Sequence, residues 1–238
     1  SSKCEELIKI AEKNRLILFV GHVFLYNNAV RTMKKLIDEG ELGKVIHINA
    51  NRLNLGPVRQ DVNALWDLAP HDISIILELL GKLPVSVNCQ GLAFLKPGVH
   101  DVCSLTLHFD DRCMATINVS WLDPNKNRLM TIVGDKKMAV FDDKQQLEKI
   151  KIFDKSVNGS RYTNGSYEDF QFSNRYGDTW IPWLKLVEPL KAECHTFLEC
   201  VVNNTNPKTD GKNGMDVVKV LEAADKSLNN NGSMVEID

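Results

Sequence analysis

The hydrophobic and polar positions of the chain change period several times, and each change marks a new element. Apolar residues at helical spacing over 3–13 predict a short helix, and the continuous apolar run over 15–20 predicts a buried strand. A second helix is predicted over 28–38, ending at the glycines of 40–43. Residues 45–54 alternate between apolar and polar, which is typical of a strand with two different faces.

The middle of the chain predicts one long helix and then a series of short strands. Residues 64–80 have the apolar spacing of a helix, in which Pro70 either introduces a kink or marks a later start. Turn residues, among them Asp123-Pro124-Asn125, separate the strand candidates, which cover 85–95, 101–109, 113–122, 128–133, 137–142 and 147–153. The connections are too short for a parallel crossover, so we expect an antiparallel meander.

The last third of the chain contains a polar segment and two further helices. Residues 156–180 are rich in Gly, Asn, Ser and Tyr and predict a long loop or irregular excursion. Helices are predicted over 186–202 and 212–229, with Asp210 and Gly211 at the cap of the second. The fold class is therefore α+β, a large, mainly antiparallel open sheet with helices on one face.

The other face of such a sheet needs a covering of its own. We expect it to be apolar and to be covered by a second subunit, which predicts a homo-oligomer. The residues assigned to this face are Val102, Leu105, Leu107, Ala115, Ile117 and Val119.

Composition and charge narrow the class of protein. Of the 238 residues, 43% are hydrophobic and 25% are charged, as in soluble globular proteins, and the formal net charge of −2 gives no reason to expect nucleic acid as a partner. No apolar run approaches the ~20 residues of a membrane helix. The six cysteines form no C-x-x-C pair and no Cys/His cluster. We therefore expect a cytoplasmic protein with reduced thiols and no metal site.

One pair of residues has the spacing of an acid–base site. Asp67 and His71 lie four residues apart and share a face of the predicted helix, so the carboxylate can fix the tautomer of the imidazole and raise its pKa. Pro70 directly before His71 would fix the backbone there. The alternative for such a pair is a surface ion pair or a helix cap without chemistry.

A second group of residues fits the recognition of phosphate or sugar. Arg52 and Asn54 lie two apart and share a face of their strand, and a guanidinium suits bidentate binding of phosphate. Arg59 is a weaker candidate of the same kind, and a solvated strand face is the alternative. The sequence contains no G-x-G-x-x-G, Walker A or G-x-S-x-G motif, so it offers no ordinary turn for a dinucleotide phosphate.

Three stretches together resemble the Gfo/Idh/MocA family of NAD(P)-dependent sugar oxidoreductases. They are GHVFLYNNAV at 21–30, LIDEGELGKV at 36–45 and WDLAPHDI at 66–73. Residues 51–62 with 66–72 resemble the branch that contains the UDP-N-acetylglucosamine and UDP-N-acetylglucosaminuronate 3-dehydrogenases. This implies hydride transfer from C3 of a UDP-N-acetyl sugar to NAD or NADP.

The resemblance also implies roles for residues and regions. His71 would be the acid/base, Asp67 would orient it, and Tyr26 would lie near the substrate unless it packs in the core. Residues 1–22 would be the last helix and strand of a truncated Rossmann domain that binds NAD(P). Residues 23–238 would form the substrate-binding and oligomerisation domain, a homodimer or homotetramer that is inactive as a fragment. The alternatives are a non-catalytic sugar-binding or scaffold protein, and a hydrolase using Asp67 and His71.

Overall fold

The helices occur where the apolar periodicity predicts them. The computed structural model describes residues 1–159 and 172–237. A 3₁₀ turn covers Val23–Tyr26. The α-helices of the described residues are Ser2–Lys13 (α1), Asn28–Asp38 (α2), Ala64–Leu80 (α3), Pro189–Asn203 (α4) and Gly211–Asn229 (α5). Asp210 is the N-cap of α5, its side chain accepting a hydrogen bond from Asn213 N, as predicted.

The strands of the described residues form one mainly antiparallel sheet. They are Val45–Leu55 (β1), Ser86–Leu92 (β2), Val102–His108 (β3), Met114–Ser120 (β4), Leu122–Gly134 (β5), Met138–Asp142 (β6), Ile150–Gly159 (β7), Phe172–Trp180 (β8) and Val235–Glu236 (β9). Their order across the sheet is β8-β7-β6-β5-β1-β4-β3-β2-β9. Among the described strands only the pairing of β1 with β4 is parallel, so the predicted α+β class with a large open sheet is confirmed.

The predicted meander is interrupted where β1 enters the sheet. β4 and β5 are separated in sequence by Trp121 alone, yet they do not pair, because β1 lies between them. The turn predicted at 123–125 is wrong, since these residues belong to β5. Between Leu122 and Asn127 the register of β5 against β1 is irregular, and Pro124, which has no N–H to donate, is accommodated there.

The helices pack on one face of the sheet and bury alternate residues of its strands. Helix α3 lies against β1, β3 and β4, and α5 lies against β2. The covered residues include Ile48, Leu105 and Ile117, all without solvent exposure. The helices on one face are therefore confirmed, and the driving force is the burial of this apolar layer.

The residues assigned to the uncovered face are wrong with one exception. The five that lie under the helices instead, buried in the core, are Leu105, Leu107, Ala115, Ile117 and Val119. Only Val102 has the opposite orientation, since side chains alternate along a strand. In a sheet with one covered face, the apolar positions are those that meet the helices.

Polar side chains occupy the uncovered face in their place. They form a hydrogen-bonded row, called the polar row below, made of His47, Asn49, Asn51, Ser104, Thr116 and Asn118. The Asn49 amide donates to Thr116 Oγ1 at 2.8 Å, and the Asn118 amide donates to Asn51 Oδ1 at 3.0 Å. Most of these side chains are half-buried.

Two further sequence predictions are corrected. Residues 15–20 form no strand, and the backbone there is anchored by Val20 N donating to Thr209 O at 2.7 Å. An apolar segment forms a β-strand only where its backbone pairs with a neighbouring strand. The excursion predicted over 156–180 is wrong for 156–159 and 172–180, which pair as the antiparallel hairpin of β7 and β8. The remainder, 160–171, lies outside the described residues.

Candidate functional site

Helix α3 carries both residues of the predicted acid–base pair in its first half. The helix begins at Ala64, after the N-cap Asn63, whose side chain accepts a hydrogen bond from Trp66 N at 3.0 Å. Pro70 therefore lies inside the helix and does not mark its start. The Ala64 amide also donates to His100 O at 2.8 Å, so the helix start is tied to the loop between β2 and β3.

His71 is a half-buried imidazole in electropositive surroundings. Its ring meets the edge of Phe24, with the ring centroids 5.3 Å apart. Burial lowers the pKa of His71 to about 4, with further lowering from the charges of Arg52, His22 and Arg128, against an opposing effect of Asp72. The sequence predicted a raised pKa, and this is wrong. The imidazole is therefore neutral near neutral pH and has a lone pair available for a proton.

Asp67 is bound to two other partners. Trp121 Nε1 donates to its Oδ2 at 3.0 Å, and Arg59 Nη1 donates to its Oδ1 at 3.3 Å. Within the described part of the chain, no hydrogen bond joins Asp67 to His71. The two side chains share one end of α3, and the orienting role of Asp67 stays a prediction.

Arg52 is committed to a buried ion pair. Its Nε donates to Asp72 Oδ2 at 2.6 Å and its Nη2 donates to Asp72 Oδ1 at 3.1 Å. Both side chains are 6% exposed. The Arg52 guanidinium also lies 4.6 Å from the centre of the Phe24 ring. This pair holds β1 against α3 next to His71. Besides burial, the charge of Arg52 lowers the pKa of His71, and the charge of Asp72 raises it.

The other predicted substrate residues occupy three different environments. Arg59 is exposed and binds Asp61 through Nε at 3.0 Å and Nη2 at 2.6 Å, in addition to Asp67. Asn54 folds over Gly56, where an added Cβ would lie 2.1 Å from its amide nitrogen. Tyr26 is 2% exposed, and its hydroxyl hydrogen-bonds Thr209 Oγ1 at 2.9 Å. Burial raises the pKa of Tyr26. This position favours the packing alternative for Tyr26.

Several residues of the site were missed by the sequence reasoning. Asp72, Phe24 and Trp121 are not among the predicted site residues. The remaining one, Arg128, lies directly opposite Arg52 in the pairing of β5 with β1 and forms an ion pair with Asp143 at 3.4 Å. The order of strands, which brings β5 beside β1, is the information that would have found it.

An open cleft lies beside the start of α3. Residues 60–63 and 98–99 form its sides and Trp66 contributes to its wall, around a volume of about 380 Å³. Arg59 and Asp67 adjoin this cleft in sequence on either side. Among the described residues, no group of three or more His, Cys, Asp or Glu side chains could hold a metal ion. No helix of the described chain is long and apolar enough to cross a membrane.

Comparison with characterised proteins finds sugar-acting enzymes of low identity. The chain is 26% identical over 128 residues to 2,7-anhydro-N-acetylneuraminate hydratase of Escherichia coli, covering 48% of this chain and 34% of that protein. It is 24% identical over 143 residues to UDP-N-acetylglucosamine 3-dehydrogenase of Acidithiobacillus ferrooxidans, covering 60% and 44%. It is 22% identical over 235 residues to myo-inositol 2-dehydrogenase of Thermotoga maritima, covering 94% and 66%. The chain thus spans from about a third to two thirds of these relatives.

Solved structures share the fold over nearly the whole chain. The UDP-N-acetylglucosamine 3-dehydrogenase of A. ferrooxidans superimposes with a TM-score of 0.75 at 20% identity, covering 97% of this chain and 68% of that one. Aldose-aldose oxidoreductase of Caulobacter crescentus gives 0.80 at 16% identity, covering 99% and 68%. Residues 30–140 match the model of the GFO/IDH/MocA C-terminal domain. This match confirms the resemblance seen in the sequence.

Proposed function

We propose that the chain is the substrate domain of an oxidoreductase that converts a sugar hydroxyl to a ketone, with a nicotinamide as hydride acceptor. The observation that carries the proposal is the neutral imidazole of His71 beside the positive charges of Arg52 and Arg128. The family match and the dehydrogenases among the relatives support the reaction class.

His71 would accept the proton of the reacting hydroxyl. The C–H bond of the same carbon breaks with loss of a hydride, the C=O bond forms, and the O–H proton goes to the imidazole. A nicotinamide bound beside the site would supply the acceptor for that hydride. Arg52 and Arg128 disfavour the imidazolium, and the same field favours negative charge developing on the sugar oxygen.

The residues present do not fit a dinucleotide by the usual mechanism. A phosphate-binding turn needs closely spaced glycines before a helix, and G-x-G-x-x-G occurs nowhere in the 238 residues. We therefore propose that NAD or NADP is held mainly by groups other than those of this chain. What the chain supplies is the proton acceptor and the surroundings of the sugar.

The substrate we propose is a UDP-N-acetyl sugar oxidised at C3. The UDP-N-acetylglucosamine 3-dehydrogenase among the relatives supports this choice. Arg59 is exposed, and within residues 1–159 and 172–237 it is linked only to the carboxylates of Asp61 and Asp67, so a phosphate can compete for its guanidinium. Asn54 is the penultimate residue of β1, two residues before Gly56.

A second candidate function is binding of a sugar without catalysis. The absence of a glycine-rich phosphate turn from the sequence favours it. The two candidates differ in whether ketone appears when substrate and nicotinamide are both supplied.

The test is turnover by wild type and by the His71→Asn variant, each assayed in the complete protein or assembly that also holds the nicotinamide. UDP-N-acetylglucosamine is incubated with NAD or NADP, and the reduced nicotinamide and the 3-keto product are measured. Catalysis predicts turnover that falls by about 10²–10⁴-fold in the variant, the usual contribution of a general base, with sugar affinity retained. Near-normal turnover in His71→Asn removes His71 from the mechanism. Sugar binding without any ketone supports the non-catalytic candidate.

A further inference from the structure

His22 is a buried imidazole with an unused nitrogen. Its residue is 8% exposed, and its Nε2 has no hydrogen-bond partner among the residues that the structure describes. The backbone around it is held in place, since His22 N donates to Val20 O at 2.8 Å and His22 O accepts from Leu25 N at 2.9 Å. A polar nitrogen that is removed from water without a partner is unfavourable, so its partner is expected to come from outside the polypeptide.

The position of His22 connects it to the site on α3. It caps the 3₁₀ turn Val23–Tyr26, in which Phe24 contacts the ring of His71 and the guanidinium of Arg52. Positive charge on His22 lowers the pKa of His71, which shows that the two imidazoles share one electrostatic environment. Neither imidazole is hydrogen-bonded through its ring to another described side chain.

We propose that His22 is a ligand-binding residue of this site, and that its Nε2 binds a hydroxyl or a primary amide of the ligand beside His71. The inference rests on the proposed function for the presence of such a ligand. Burial lowers the pKa of His22, so its ring is neutral and has one N–H and one lone pair. A group that both donates and accepts satisfies either tautomer.

Two sources carry this chemistry, and the experiment separates them. A sugar supplies hydroxyls, and a nicotinamide supplies a carboxamide. The complete 238-residue chain is titrated by calorimetry with UDP-N-acetylglucosamine, with myo-inositol and with NADH. The variants are His22→Phe, which removes both ring nitrogens, and His22→Gln, which keeps an amide. His195→Gln is the matched control, because His195 is exposed on α4, where it pairs with Glu199.

The expected result is a Kd about tenfold higher in His22→Phe for one ligand class, the effect of losing one hydrogen bond to a buried group. His22→Gln is expected to recover part of that loss, and His195→Gln to leave Kd unchanged. A loss confined to the sugars assigns a hydroxyl to His22. A loss confined to NADH assigns the carboxamide.

The wild-type chain provides a reading that does not depend on how well the variants fold. In long-range ¹H–¹⁵N spectra, the Nε2 signal of His22 is expected to move when the bound ligand is added. An unchanged Kd in His22→Phe, or an unmoved Nε2 signal with ligand bound, overturns the inference and leaves the proposed function intact. Sugar binding through His22 without any ketone product removes the proposed catalysis alone. If none of the ligands binds the wild-type chain, both proposals fall.

Discussion

At the scale of single residues, two arginines with the same candidate role have opposite environments. Arg52 and Asp72 are both 6% exposed and form two hydrogen bonds, whereas the Arg59 side chain is 49% exposed and faces Asp61 and Asp67 at the surface. A guanidinium satisfied in the interior holds structure in place. An exposed one can exchange its carboxylates for a ligand. The environment, and not the residue type, therefore decides which arginine is available.

Substituting each arginine by methionine tests this difference in stability. Arg52→Met leaves the Asp72 carboxylate buried without its partner, and we expect the free energy of unfolding to fall by about 3–5 kcal/mol. Arg59→Met removes only exposed pairs, and the expected change is within about 1 kcal/mol. Urea unfolding of both variants at the same pH measures the two effects. Equal losses would contradict the assignment of Arg52 to a buried structural pair.

The lowered pKa of His71 predicts a pH dependence of stability. With a folded pKa of about 4 against an ordinary value of 6.5, the unfolded chain binds a proton more readily between these values. The contribution of His71 is thus fully present above the higher value and is lost as pH falls towards the lower one. The full loss would be at most about 3.4 kcal/mol, at 1.36 kcal/mol per pKa unit.

The measurement for His71 is a difference between proteins. Wild type and His71→Asn are unfolded in urea across this pH window, and their free energies of unfolding are subtracted at each pH. The acid-induced loss is expected to be smaller in the variant. His195→Gln serves as the control, because its imidazole is exposed and is expected to leave the wild-type profile unchanged. Parallel profiles for wild type and His71→Asn would show that the His71 pKa is not lowered in the fold.

At the scale of elements, local patterns predicted the helices correctly, whereas part of the sheet depends on non-local pairing and was predicted wrongly. The ends of helices α2, α3 and α5 lie within one residue of their predicted positions. This is because apolar periodicity and capping depend on residues that are close in sequence. The insertion of β1 between β4 and β5 leaves no local trace. The hairpin of β7 and β8 escaped prediction because its second strand, at the edge of the sheet, has the polar composition of a loop.

The candidate site likewise has features that are local in sequence and features that are not. The spacing of Asp67 and His71 is local, so the sequence placed both at one end of a helix. Their partners are not local, because Trp121 reaches Asp67 from the junction of β4 and β5, and Arg52 reaches Asp72 from β1. The prediction of a raised histidine pKa failed for this reason. It assigned His71 the carboxylate of Asp67, four residues earlier, and omitted the burial of the ring and the charges of the arginines.

At the scale of the whole molecule, the face of the sheet opposite the helices has a surface chemistry of its own. Its polar row is hydrogen-bonded within itself, and most of its side chains are half-buried in the single chain. A fixed array of amides and hydroxyls suits an isologous contact, in which each donor meets an acceptor of a second copy. We therefore propose that the chain forms a homodimer through this face, with the helices on the outside.

A charge placed on the polar row tests the dimer. Ser104 is exposed on β3 and donates to Asn118 Oδ1, so Ser104→Glu sets two carboxylates into a symmetric interface while a single chain tolerates it. Thr205→Glu, in the exposed loop after α4, adds the same charge away from the sheet. We expect sedimentation to give a dimer for wild type and Thr205→Glu and a shift towards monomer for Ser104→Glu, with unchanged circular dichroism. A specific interface buries about 800 Å² on each partner, so the added carboxylates would lie inside it. A dimer that survives Ser104→Glu must therefore be formed by another surface. A monomeric wild type means that this polar face is stable in water.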